Sequence, residues 1–61
     1  MKAYELYEIW TENESGHQEL VETTGDKSQA LRIAEKAKEP GITVTIYQET
    51  EDGDLEMIEE L

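Results

Sequence analysis

Apolar residues along the chain fall into four short clusters and one helical stripe, a pattern that predicts two β-hairpins joined by a helix. The first strand, over residues 3–10, is rich in aromatic and aliphatic side chains and carries them on both faces. This is typical of a central strand covered on both sides, or of a strand with a bulge near residues 6–7. Residues 11–17 are polar and predict a loop. In the second strand, over residues 18–24, the only aliphatic residues are Leu20 and Val21 on opposite faces, which indicates an edge strand.

A single helix is predicted between the two hairpins. Asp26 is placed to act as its N-cap, with Gln29 as the reciprocal capping-box partner three residues later. Pro40 and Gly41 stop the helix. Apolar residues follow the i, i+3, i+4, i+7 spacing of one buried stripe, with Leu31 on its border; the stripe consists of Ala30, Ile33, Ala34 and Ala37. Because three of these residues are alanines, we expect the helix backbone to lie close to a sheet.

The third strand, over residues 42–47, shows the clearest alternation in the chain. Ile42, Val44 and Ile46 share one face, and Tyr47 lies on the other. We expect the helix to pack on the aliphatic face. Together with Ile33 and Ala34 of the helix, Val44 and Ile46 should therefore be nearly inaccessible to solvent.

The fourth strand, over residues 55–61, follows an Asp-Gly hairpin signal at residues 52–53. Simple alternation places Leu55, Met57 and Leu61 on one side and Ile58 on the other. The pattern therefore predicts that Leu55 and Met57 join the face under the helix, and that Ile58 shares the opposite face with Tyr47.

These elements predict one α+β domain over residues 1–61, in the order β-β-α-β-β, with one helix on one face of a four-stranded antiparallel or mixed sheet. Two hairpins joined by a helix resemble the β-grasp arrangement of small immunoglobulin-binding domains. That resemblance, in element order and length, implies that strands one and four pair at the centre of the sheet. No sequence motif is shared with that family, so the resemblance implies no function.

The charge of the chain is strongly negative and unevenly distributed. Five Lys and Arg residues oppose 16 Asp and Glu residues, for a net charge of −11. Residues 26–39 hold four of the bases and three of the acids, so this segment carries +1 and the rest of the chain −12. Direct binding to nucleic acid or to anionic lipid needs clustered Lys and Arg, and is therefore not expected. No apolar run approaches the roughly 18 residues of a membrane span.

Candidate chemistry is sparse. The chain has no cysteine, which excludes a disulfide framework and fits a cytoplasmic protein. His17, the only histidine, is interpreted as an exposed loop residue, because a pair with Ser15 has no third group to orient it. The acidic segment 49–54 lacks the register of a calcium-binding hand and is interpreted as a charged hairpin tip. We expect no catalytic residues, no metal and no cofactor.

A surplus of apolar residues suggests a binding surface instead. The face away from the helix should hold Tyr47 and Ile58, with either Tyr7 and Ile9 or Leu6 and Trp10 from the first strand, depending on register. Aromatic residues within a polar surround mark interaction sites, although isolated aromatics also occur on ordinary surfaces. The candidate partner-binding residues are Tyr7, Trp10, Tyr47 and Ile58.

The sequence thus favours a small acidic, non-enzymatic module that binds a protein partner and is itself a monomer or a weak homodimer. The alternative is an inhibitor of the type encoded by phages or plasmids, whose acidic surface imitates DNA and occupies the basic groove of a nucleic-acid enzyme. A third interpretation is that the acidic surface only keeps the protein in solution.

Overall fold

A computed structural model describes residues 6–61 as an antiparallel four-stranded sheet with one helix on one face. Its elements are β1 (Leu6–Glu12), β2 (Gln18–Thr24), α1 (Lys27–Ala37), β3 (Thr43–Glu49) and β4 (Leu55–Glu60). The predicted element order and the α+β class are confirmed. Residues 3–5 of the predicted first strand lie outside the described residues.

The strand order is β2-β1-β3-β4, and every neighbouring pair is antiparallel. The predicted central position of the first strand and edge position of the second are confirmed. The central pairing of strands one and four, implied by the β-grasp resemblance, is wrong, because β3 lies between them. β1 and β3 contribute all of the fully buried strand residues. Placing them side by side concentrates apolar burial at the centre and leaves the acidic β2 and β4 at the edges.

The core lies between α1 and the two central strands. Its buried residues are Tyr7, Ile9, Ala30, Ala34, Val44 and Ile46. The predicted burial of Val44, Ile46 and Ala34 is confirmed. The predicted near-complete burial of Ile33 is wrong: Ile33 is only partly buried, because it faces the edge strand β2, where it lies beside Val21 and Glu22.

The ends of α1 are fixed by polar contacts. The Asp26 carboxylate accepts a hydrogen bond from the backbone N–H of Ser28 at 3.1 Å, which confirms its role as N-cap. The N–H of Asp26 itself donates to the Thr24 hydroxyl at 3.3 Å. Thr24 is therefore the acceptor for this N–H, the role that the capping box predicts for the Gln29 side chain. At the other end, the Lys38 ammonium donates to the backbone carbonyl of Ile42 at 3.1 Å.

Two β-bulges interrupt the sheet within residues 6–61. In the β1–β2 pair, Ile9 lies opposite Glu22 and Trp10 opposite Leu20, so the extra residue is in β2. The pairing of β1 with β3 is regular from Leu6 to Glu12, so the bulge considered near residues 6–7 is not found. The second bulge lies in the β3–β4 pair.

The second bulge reverses the predicted faces of β4. Tyr47 lies opposite Met57 and Ile46 opposite Glu59, which leaves Ile58 as the extra residue. Met57 therefore shares the face of Tyr47 and is 58% exposed, whereas Ile58 packs against the core. The prediction that Leu55 and Met57 lie under the helix is wrong, and so is the prediction that Ile58 lies on the opposite face. A one-residue shift in register is enough to exchange the two faces of a strand.

This register gives a direct test in two neighbouring residues. We expect Ile58→Ala to lower the free energy of unfolding by about 1–2 kcal/mol, because it removes packing from the core. Met57→Ala should change it by less than about 0.5 kcal/mol, because Met57 is mostly in solvent. Urea denaturation of the two variants measures both values. A larger loss for Met57→Ala than for Ile58→Ala would contradict the register.

Candidate functional site

The candidate site is the face of the sheet that α1 leaves uncovered, called the open face below. Cross-strand partners in a sheet project to the same side, and successive residues of a strand alternate. Because Tyr7 and Ile9 point to the core, Trp10 and its partners lie on the other side. The large apolar residues that this register places on the open face are Leu6, Trp10, Leu20, Tyr47, Leu55 and Met57.

Two of the four predicted partner-binding residues lie on this face, and two do not. Trp10 and Tyr47 are both partly exposed and line the same depression. Tyr7 is only 4% exposed and belongs to the core, because β1 uses the register that turns Leu6 and Trp10 outward. Ile58 is turned to the core side by the bulge in β4. The open-face positions predicted for Tyr7 and Ile58 are therefore wrong.

Three exposed aliphatic residues of the open face were not predicted as site residues. Leu20 is 47%, Leu55 45% and Met57 58% exposed. Leu20 comes from the edge strand β2, and the other two come from β4. Sequence alternation alone assigned Leu55 and Met57 to the helix side, and only the bulge places them here. The open face is consequently more apolar than the sequence suggested.

A shallow depression of about 260 Å³ lies on the open face. The residues around it are Trp10, Thr11, Glu12, Gln18, Thr45, Tyr47 and Leu55. The indole N–H of Trp10 donates to Glu8 Oε1 at 2.9 Å, and Gln18 Nε2 donates to Glu12 Oε1 at 3.4 Å. These contacts hold the indole and one carboxylate in defined positions, so the depression presents two aromatic rings beside acidic oxygen atoms.

The described basic residues lie on only one side of the sheet. The register places Glu8, Glu12, Glu49 and Glu60 on the open face. Among residues 6–61, all Lys and Arg residues belong to α1 or to its C-cap, Lys38, on the other side of the sheet. Within this part of the chain, no Lys or Arg side chain lies within 4 Å of a carboxylate, and the one close pair joins His17 to Glu19 at 3.4 Å. From the residues that the structure describes, the acidic charge of the open face therefore has no local compensation.

This uncompensated charge predicts that salt stabilises the fold. Repulsion among the carboxylates weakens the compact state, and counterions screen it. Raising the sodium chloride concentration should increase the melting temperature by about 5 °C, the equivalent of roughly 1 kcal/mol in a domain of this size. Chloride is preferred because sulfate also strengthens apolar burial. A melting temperature that falls with salt would show that attractive charge pairs dominate instead.

The two hairpin tips, which contain His17 and the acidic segment 49–54, are each organised by hydrogen bonds within the tip. The Asn13 side chain accepts hydrogen bonds from the N–H groups of Ser15 and His17, at 2.9 and 3.0 Å. In the acidic tip, the Thr50 N–H donates to the Asp54 carbonyl at 2.8 Å, and Gly53 adopts a φ of 89°. No three His, Asp or Glu residues within 6–61 are grouped to hold a metal ion. In the same range, no helix has the length and apolar character needed to cross a membrane.

Comparison with known proteins identifies no relative: no protein-family model, curated protein or solved structure matches the chain. The functional interpretation below therefore depends on the geometry, exposure and charge of the open face.

Proposed function

We propose that the protein is a small acidic, non-enzymatic module that binds a protein partner through its open face. The observation that supports this most is the uncovered group of apolar side chains around Trp10 and Tyr47. Exposed apolar residues that are contiguous and ringed by polar groups are characteristic of interaction surfaces. Here they extend over all four strands, from Leu20 in β2 to Met57 in β4.

The depression supplies the anchors that such an interface needs. Tryptophan and tyrosine contribute most to binding energy when they lie near the centre of an interface. Full burial of an exposed apolar side chain adds about 1.5–3 kcal/mol, and the open-face residues, which are already partly buried, each add a part of that. The hydrogen bond from Trp10 to Glu8 holds the indole before the partner arrives, which lowers the entropy lost on binding.

The proposal includes the state of the free protein. Two copies that meet through their open faces bring like charges together, because each copy carries −11 and the face holds four described carboxylates. We therefore propose a monomer, or at most a weak homodimer. We place it in the cytoplasm, since its cysteine-free composition resembles that of small intracellular domains.

A photocrosslinking amino acid tests the proposed face. It is introduced at Met57 on the open face in one variant, and at Arg32 in α1 in the matched control. Both positions are exposed, so neither change disturbs the core. Illumination in cells that make the protein should yield a defined crosslinked partner from the Met57 position only. Crosslinking of one defined partner from Arg32 and not from Met57 would contradict the proposal.

The second candidate function is imitation of DNA, and the one-sided distribution of the described basic residues favours it specifically. The described Lys and Arg residues lie with α1, so a basic groove facing the open side would meet carboxylates and no described base. The two candidates differ in their response to salt. Mimicry predicts binding that collapses as ionic strength rises, whereas an interface anchored by Trp10 and Tyr47 retains most of its affinity.

A further inference from the structure

We propose that the depression beside Trp10 binds an arginine side chain of the partner. This inference rests on the proposed function, because it names the chemical group that the open face recognises. The depression combines the two features that a guanidinium group needs, aromatic rings on which it stacks and carboxylate oxygens to which it donates. Trp10 and Tyr47 supply the rings, and Glu12 supplies carboxylate oxygens in the lining. Glu8 is outside the lining but next to it, because it accepts the indole N–H of Trp10.

The two carboxylates have capacity for a further donor. Glu8 accepts the Trp10 indole N–H through Oε1, and Glu12 accepts the Gln18 amide through Oε1. Within residues 6–61, the Oε2 atom of each carboxylate has no hydrogen-bond partner. A guanidinium group carries five N–H donors in a planar fork, and one edge of it can engage a carboxylate while its plane covers an aromatic ring.

Charge identifies the occupant as a basic side chain of another protein. The open face has four carboxylates and no base among its described residues, so a cation gains attraction there and an anion is repelled. A second copy of this chain is a poor source, because each copy carries −11. Arginine fits better than lysine, because the compact ammonium is more strongly hydrated and cannot stack as a plane.

The test uses three acetylated and amidated peptides of sequence Gly-Leu-Xaa-Leu-Gly, where Xaa is arginine, lysine or citrulline. Citrulline matches the shape of arginine but has no charge. Trp10 is the only tryptophan of the chain, so its indole N–H resonance reports on the depression without further labelling of the site. At low salt, we expect the arginine peptide to bind about fivefold more tightly than the citrulline peptide.

A matched pair of variants assigns the effect to the site. Glu12→Gln should remove most of the preference for arginine, and Glu35→Gln, the same change on exposed α1, should retain it. Circular dichroism confirms that both variants are folded. Equal binding of the arginine and citrulline peptides would overturn the arginine site while leaving an apolar docking face. An indole resonance that none of the peptides shifts would also overturn the arginine site. The proposed function is tested separately, by photocrosslinking from the Met57 position.

Discussion

Replacing Ile46 with alanine is expected to lower the free energy of unfolding by about 2–4 kcal/mol. Ile46 is 1% exposed, lies opposite Ile9 in the central strand pair, and belongs to the cluster that contacts Ala30 and Ala34. Truncation there leaves a cavity that the short alanine side chains of α1 cannot fill. Because a domain of about 60 residues has little stability to lose, most molecules of this variant should be unfolded at room temperature.

Urea denaturation measures this loss, and Leu55→Ala is the control. Leu55 is 45% exposed, so the same kind of truncation should cost less than about 0.5 kcal/mol there. If the variant is too unstable for a complete transition, Ile46→Val provides a smaller step of about 0.5–1.5 kcal/mol. A loss below about 1 kcal/mol for Ile46→Ala would show that β3 does not face the helix.

Tyr47→Ser is expected to abolish partner binding while the protein remains folded. Tyr47 is partly exposed, lies opposite Met57, and lines the depression with Trp10. A side chain outside the core lacks the packing that makes truncation costly, so the melting temperature should fall only slightly. A central aromatic anchor of an interface, in contrast, contributes about 2 kcal/mol or more, so binding should weaken at least about thirtyfold.

The matched control for this variant is Gln48→Ser in the same strand. Gln48 follows Tyr47 directly, is also partly buried, and lies opposite Tyr7 of the core side, so it points away from the open face. The melting temperature, and the affinity for the partner that photocrosslinking identifies, are measured on both variants. A severe fall in melting temperature for Tyr47→Ser would place Tyr47 in the core. Unchanged stability together with unchanged binding would make the open face an ordinary surface.

Local periodicity was sufficient to predict the elements and the centre of the core. The i, i+3, i+4 spacing of Ala30, Ile33 and Ala34 defined the buried side of α1, and the alternation of Val44 and Ile46 defined the buried side of β3. The strand order was not predictable in the same way. Two hairpins joined by a helix are compatible with either β3 or β4 beside β1, and the choice depends on pairing between distant residues.

The candidate site shows the same division between local and distant information. β1 has apolar residues on both faces, so its sequence left open whether Tyr7 or Trp10 would be buried, and its register with β3 decides. The bulge at Ile58 has no glycine or other local signal. Simple alternation of residues along β4 therefore assigns Met57 to the wrong face of the sheet. Tyr47 was predictable because the opposite face of β3 is strongly aliphatic, whereas Trp10 was one of two alternatives that the sequence of β1 left open.

The central claim is that the open face, and not the helix side, meets the partner. Methyl-group NMR tests it most directly. The protein, labelled at its methionine, isoleucine and leucine methyl groups, is titrated with the partner that photocrosslinking identifies. We predict that the methyl resonances of Met57 and Leu55 shift strongly, while that of Ile33, at the border of α1, stays in place. Shifts that are confined to Ile33 and Leu31, with Met57 and Leu55 unchanged, would contradict the claim and assign binding to the helix side.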